Sequence, residues 1–207
     1  MNNILKILIL LFIQFLEKIE YRNLSLDQDD VNKKILNTLE LLNVEVETDS
    51  GWQPASHIHI TQPFNIWKIK TEKGKYLECA DKHKVFTNQF QEIFVKDLKV
   101  GSYIQTENGI DRVVYINKSN TKVSMFDITV DHPDHRYYTN GILSHNCVGF
   151  NTLIDVIYFK DNKKISKKMY MGELYYESLE KIRHLKTLEK IKRYIWRIIA
   201  KIDENTK

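Results

Sequence analysis

The chain has 207 residues, 43% of them hydrophobic, with 31 Lys and Arg against 27 Asp and Glu. That is enough to bury a core, as one domain or as one domain with an appendage. Only two cysteines, Cys79 and Cys147, are present, which excludes a disulfide framework and points to free thiols in a reducing, cytoplasmic setting. With 3 Pro and 7 Gly there is no linker-like or low-complexity stretch, and no internal repeat is found.

From the N-terminus, Ile4 to Ile13 is apolar apart from Lys6. The run has the look of a signal-peptide core, but no small-residue cleavage site follows and Glu17-Lys18 comes soon after. It is also shorter than the roughly 20 apolar residues that span a bilayer, so no membrane partner is expected. The pattern predicts a buried helix continuing through Ile19. A second helix is predicted over Val31 to Leu42, with Ile35, Leu36, Leu39 and Leu42 on one side, before a strand-rich region begins near Val44.

Val44 to Glu47, Ile66 to Lys70, Tyr76 to Cys79, Val113 to Asn117 and Val123 to Val130 are short β-prone runs. Asp49-Ser50-Gly51, Glu72-Lys73-Gly74-Lys75 and Asn108-Gly109 separate them, so a mainly β fold is expected. His57-x-His59 puts two imidazoles on one face of a strand and His132-x-x-His135 lies in a turn. Neither has Cys or His partners at structural-zinc spacing, so no metal site is expected, and His57, His59 and His184 read as surface residues.

Met125 to Val130 alternates as a strand, a Pro-containing turn comes next, and Tyr137-Tyr138 forms a second aromatic strand leading into Asn140-Gly141. The run closes on His145-Asn146-Cys147. An Asn amide can attack its own carbonyl and release the downstream chain as a succinimide forms; a neighbouring imidazole can protonate the departing amine; a thiol can accept an acyl group.

This stretch resembles the C-terminal splicing blocks of inteins. On that resemblance Asp127 matches the block acid, His135 its histidine, His145 the penultimate histidine and Asn146 the cyclising asparagine. Tyr76 to Phe86 looks like the family's Thr-x-x-His block, with His83 as activator of the N-terminal junction and Ala80 where threonine is usual. Val95 to Ile104 looks like the loop and short strand that come after that block. The resemblance implies a Hint-type horseshoe-like β fold, with helices at both chain ends added by the periodicity.

Cys147 to Val156 is similar to the block that begins an intein, with Cys147 as first nucleophile. Ile154 to Phe159, a turn at Lys160-Asp161-Asn162-Lys163, and Lys164 onward read as the hairpin after it. The start therefore comes after the end. The chain reads as an atypically split intein in permuted order: residues 1–146 are the C-terminal piece (1–43 a helical docking segment, 44–146 the β region) and 147–207 the N-terminal piece (147–172 opening strands, 173–204 an amphipathic helix). Three alternatives stay open: a C-terminal piece followed by host protein starting at Cys147, a hedgehog-like autoprocessing domain, and a non-catalytic helical binding module.

Leu174, Leu179, Ile182, Leu185, Leu188, Ile191, Ile195, Ile198 and Ile202 recur as a helix face, with Lys and Arg on the remainder and Glu180 and Glu189 among them. Interspersed acids and the lack of a base-reading motif argue against nucleic acid. Residues 147–207 carry 14 Lys and Arg against 8 Asp and Glu, while 1–146 carry 17 against 19, so opposite net charges favour encounter of the two pieces. The partners expected are the complementary piece, here in the same chain, and flanking host segments.

The mechanism implied by the resemblance has Cys147 attack the preceding carbonyl with help from His83 and Asp127, and Asn146 cyclise with His145 and His135 assisting. It is autocatalytic, single-turnover and needs no cofactor. Because one bond serves as both junctions, the chain as written is expected to undergo slow scission rather than ligation, giving pieces of 146 and 61 residues.

Overall fold

A computed structural model of the chain describes residues 35–145, 147–160 and 163–205. Among these the strands are β1 (Ile35–Thr48), β2 (Gly51–Thr71), β3 (Tyr76–Cys79), β4 (Lys84–Phe86), β5 (Glu92–Phe94), β6 (Tyr103–Thr106), β7 (Gly109–Val130), β8 (Tyr137–Thr139), β9 (Ile142–His145), β10 (Leu153–Lys160) and β11 (Lys163–Tyr170). A helix, α1, spans Met171–Asn205, and a 3-10 turn occupies Val95–Asp97. The mainly β expectation holds. The helix predicted at Ile4 to Ile19, the first residues of the second predicted helix, Asn146 and the Asp161-Asn162 turn lie outside the described residues.

The strands join one antiparallel sheet in the order β11-β10-β1-β2-β7-β6-β9-β4-β5, with β3 added to β2 and β8 to β9. Two strands are far longer than the short runs in the sequence suggest. β2 and β7 pair with each other along most of their length, with register shifts at Ala55/His57, Ile60/Pro63, Asn65/Trp67 and Lys70/Thr71. Each shift is a bulge that bends the ribbon, and it also breaks the alternation by which a long strand would be recognised.

The second predicted helix is corrected to the strand β1. Its buried residues are Leu39 and Leu41, then Val44, Val46 and Thr48. Each group alternates with period 2. Between them the pairing with β2 shifts register between Glu40 and Val44, and Asn43 takes a positive φ of 56°. The extra residue moves the apolar phase by one, and of Ile35, Leu36, Leu39 and Leu42, read as one helical side, only Leu39 is buried while Leu36 and Leu42 are exposed.

The segment after Asn146 belongs to the same sheet. Val148 forms isolated bridges to Cys79 and Phe126, exchanging 2.8 Å hydrogen bonds with Phe126 in both directions. β10 pairs with β1 from Val44↔Tyr158 to Val46↔Val156. Val148, Ile154 and Val156 are buried in the main core with Ile58, Ile69, Leu77 and Ile128. The start of α1 closes this core through Met171, Leu174 and Tyr175; Tyr175 meets Phe126 edge-on at 5.5 Å and accepts a 2.7 Å hydrogen bond from Asn37 Nδ2. Further along, Leu185 and Leu188 are 46% and 47% exposed. No helix among the described residues is long and apolar enough to cross a membrane.

Candidate functional site

Residues 147–149 run extended between the ends of β3 and β7. Ala80 N donates to Cys147 O at 3.2 Å, and Gly149 N donates to Glu78 O at 2.8 Å. This antiparallel register sets Cys147 across from Ala80 and Cys79 across from Val148. Since successive side chains alternate faces, Cys79 enters the main core while Cys147 packs with Ile66, Ala80 and Met125 on the other side. The two cysteines are neighbours in the ladder yet point apart, and both are free thiols. Burial pushes the Cys79 thiol well above its usual range, with negative charge at Cys147, Glu78 and Asp81 adding to it.

Each further side chain arrives by a different turn. His83 is fully buried in the β3–β4 connection, where His83 N donates to Ala80 O at 3.1 Å and Val95 N donates to His83 O at 2.8 Å. Asp127 lies near the end of β7; its Oδ1 accepts from Ile128 N at 2.9 Å and its Oδ2 is 4.0 Å from Cys147 Sγ. His135 sits in the β7–β8 turn at a φ of 49°, with Nδ1 2.9 Å from Val130 O. A non-glycine residue in the left-handed region costs backbone energy, and such positions collect at working sites. Arg136 beside it is fixed by a bidentate pair to Asp49, at 2.9 and 2.7 Å to the two oxygens, and its guanidinium lies over the Phe86 and Phe90 rings. The Asp49 bond holds the guanidinium above even its ordinary range, against the opposing effect of burial.

The Asn140-Gly141 turn, with φ of 48° and 72°, folds β8 back onto β9 and so delivers His145. Asn140 also ties both sides of the junction together. Its Nδ2 donates to Tyr76 O at 2.5 Å, while Leu153 N donates to Asn140 Oδ1 at 2.6 Å. His145 pairs with Lys84 across β4, and its ring stands edge-on to that of His135 at 6.2 Å.

The result is a cleft of about 550 Å³ that His83, Asp127, His135, His145 and Cys147 all line. Five of the six candidate residues, drawn from separate stretches of chain, thus converge; Asn146, the sixth, lies outside the described residues. Ala80 carries no hydroxyl; its backbone N–H donates to the Cys147 carbonyl.

Two residues escape the sequence reading. His59, expected at the surface, is half-buried and lines the same cleft. The His-x-His strand pattern does place it on one face; which face is not legible. Tyr137, expected only as a strand aromatic, is 1% exposed. Burial pushes this phenol well above its usual range, and the charges of Asp127 and Cys147 add to the effect. His57 is half-buried, stacking on His59 at 6.3 Å, and His184 lies on α1. Among the described residues no group of three His, Cys, Asp or Glu side chains is arranged to hold a metal ion.

No protein-family model and no curated protein matches the chain. Solved structures similar to it are inteins. The VidaL intein, as a selenomethionine variant, is 28% identical over 51% of this chain and 70% of its own, with a TM-score of 0.47. A consensus engineered intein, Cat, with an atypical split site is 26% identical over 62% of this chain and 96% of its own, with a TM-score of 0.45. A DnaB intein from Synechocystis is 19% identical over 52% and 79%, with a TM-score of 0.44.

Proposed function

We propose that the chain is a self-processing protein-splicing element of the Hint type, a split intein whose C-terminal piece (1–146) precedes its N-terminal piece (147–207). The observation that carries this reading is the meeting of His83, Asp127, His135 and His145 around Cys147 in one cleft. The permuted order is supported by the seating of residues 147–160 and 163–170 within the same sheet as residues 35–145, through Val148 and β10, rather than as a separate body. Host protein beginning at Cys147 would have no reason to complete that core.

In the first step the Cys147 thiol gives its proton to Asp127 as sulfur bonds to the carbonyl carbon of residue 146. The C–N bond then breaks and the Cys147 amine takes a proton from His83, leaving a thioester. In the second, the Asn146 side-chain nitrogen attacks its own carbonyl carbon. As the succinimide closes, that nitrogen passes a proton to His135 and the bond to residue 147 breaks, with His145 protonating the leaving group. Between separate pieces, a nucleophile placed after Asn146 takes the acyl group from the thioester before cyclisation, which ligates the flanking segments. The exposed stripe at Leu185 and Leu188 and the apolar run Ile4 to Ile13 form the docking module in this reading, aided by opposite net charges.

The test is trans-splicing. Residues 147–207 are produced with a reporter upstream of Cys147, and residues 1–146 with a second reporter, starting with Cys, after Asn146. Mixing them yields one ligated reporter fusion plus both free pieces. A mixture that yields no ligated product under reducing conditions overturns the reading.

A further inference from the structure

We infer that His59 is a positioning residue for Asp127, holding that carboxylate ionised and turned toward Cys147; this rests on the reading of the cleft given above. His59 stands directly across the β2–β7 ladder from Asp127. Directly opposed residues of an antiparallel pair rise from the same face with Cβ atoms about 4.5–5.5 Å apart, so the ring and the carboxylate are immediate neighbours. The ring is fixed at both nitrogens. Nδ1 lies 2.9 Å from Thr38 Oγ1 on β1, and Nε2 lies 2.8 Å from Thr129 Oγ1 on β7.

Hydroxyls donate or accept as required, so this cradle accommodates either neutral tautomer and also the doubly protonated ring. It therefore fixes where the ring sits without fixing its charge. A protonated imidazole in that place favours the ionised form of Asp127, whose Oδ2 faces Cys147 Sγ. His57 stacks on the ring from its own strand at 6.3 Å, and Glu40 on β1 pairs with His57. The other titratable groups around the cleft are Asp81, Lys82 and His83 from the β3–β4 connection and His135, His145 and Cys147. Tyr137 lies behind Asp127.

Two measurements test the pair. In the full chain kept intact by Asn146→Ala and Cys147→Ala, NMR titration of the His59 ring is followed with and without Asp127→Asn. Loss of the carboxylate is expected to lower the His59 midpoint by about one pH unit, while His184 on α1 stays in place. An unmoved His59 midpoint overturns the inference. In the otherwise unaltered chain, release of residues 1–146 by added thiol is measured against pH. His59→Ala is expected to displace the acid limb to higher pH by about one unit, and Thr129→Val to displace it less in the same direction. A uniform fall in rate with the limb unmoved means that His59 only supports the fold, and it overturns the inference. Absence of any release from the parent chain, with the NMR shift present, sinks the proposed function and upholds the His59–Asp127 pair.

Discussion

Cys147 Sγ lies 4.0 Å from Asp127 Oδ2, although the two residues are 20 positions apart in sequence. The contact exists because Val148, next to one, is hydrogen-bonded in both directions to Phe126, next to the other. Backbone pairing thus sets the distance between thiol and carboxylate, and the side chains need little freedom to keep it.

The two thiols are expected to differ sharply toward iodoacetamide. Cys147 lines the open cleft, whereas Cys79 is fully buried and its thiol is pushed upward. Thiolate is the reactive form, so peptide mapping of the native chain should find the label on Cys147 and not on Cys79. Equal labelling would contradict the opposite-face arrangement.

Tyr137→Phe is expected to change how stability falls at alkaline pH, because burial, with the charges of Asp127 and Cys147, raises this phenol. The pH dependence has a definite sign. A phenol whose folded value is raised contributes stability that is present below its unfolded value, near 10, and is lost as pH rises through the folded one. Chemical unfolding across alkaline pH should therefore show a shallower decline for Tyr137→Phe than for the parent chain. Equal slopes for the two chains would contradict the raised phenol.

β1 makes a prediction that separates strand from helix. Leu39 is 1% exposed and Leu36 is 42% exposed, although a helical reading puts both on one side. Leu39→Ala should cost about 2–5 kcal/mol, and Leu36→Ala about 0.5 kcal/mol or less, in urea unfolding. Comparable costs would restore the helix.

Here lies the difference between what is legible in the sequence and what is not. The hairpin turns carry strong local chemistry, as at Asp49-Ser50-Gly51 and Asn140-Gly141, and these positions fold as turns. The order of residues around His83 and His145 is enough to nominate the cleft. β1, β2 and β7 depart from expectation in type or length because bulges interrupt the period on which strand recognition depends. His59 departs for a different reason. Alternation puts His57 and His59 on one face of β2, but only tertiary packing decides which face meets solvent.

Arg136→Ala removes a bidentate ion pair that fixes the β7–β8 turn to Asp49. The pair is partly shielded from solvent, so the loss should be about 1 kcal/mol. Because His135 is adjacent and held in the left-handed region, Asn146-dependent cleavage should slow more than stability alone explains. Succinimide formation, measured by mass spectrometry at a temperature where both chains remain folded, checks this. An unchanged rate would mean that His135 is positioned by its Val130 bond without Arg136.

The most direct measurement is the mass of the purified, intact chain after incubation with and without added thiol. The account predicts slow scission at the 146–147 bond, giving pieces of 146 and 61 residues. The longer piece should appear as a thiol adduct or a succinimide, with the adduct abolished by Cys147→Ala and the succinimide by Asn146→Ala. A chain that stays whole under both conditions, or one that is cut equally in the double variant, would contradict the convergence of His83, Asp127, His135 and His145 on that bond as a working site.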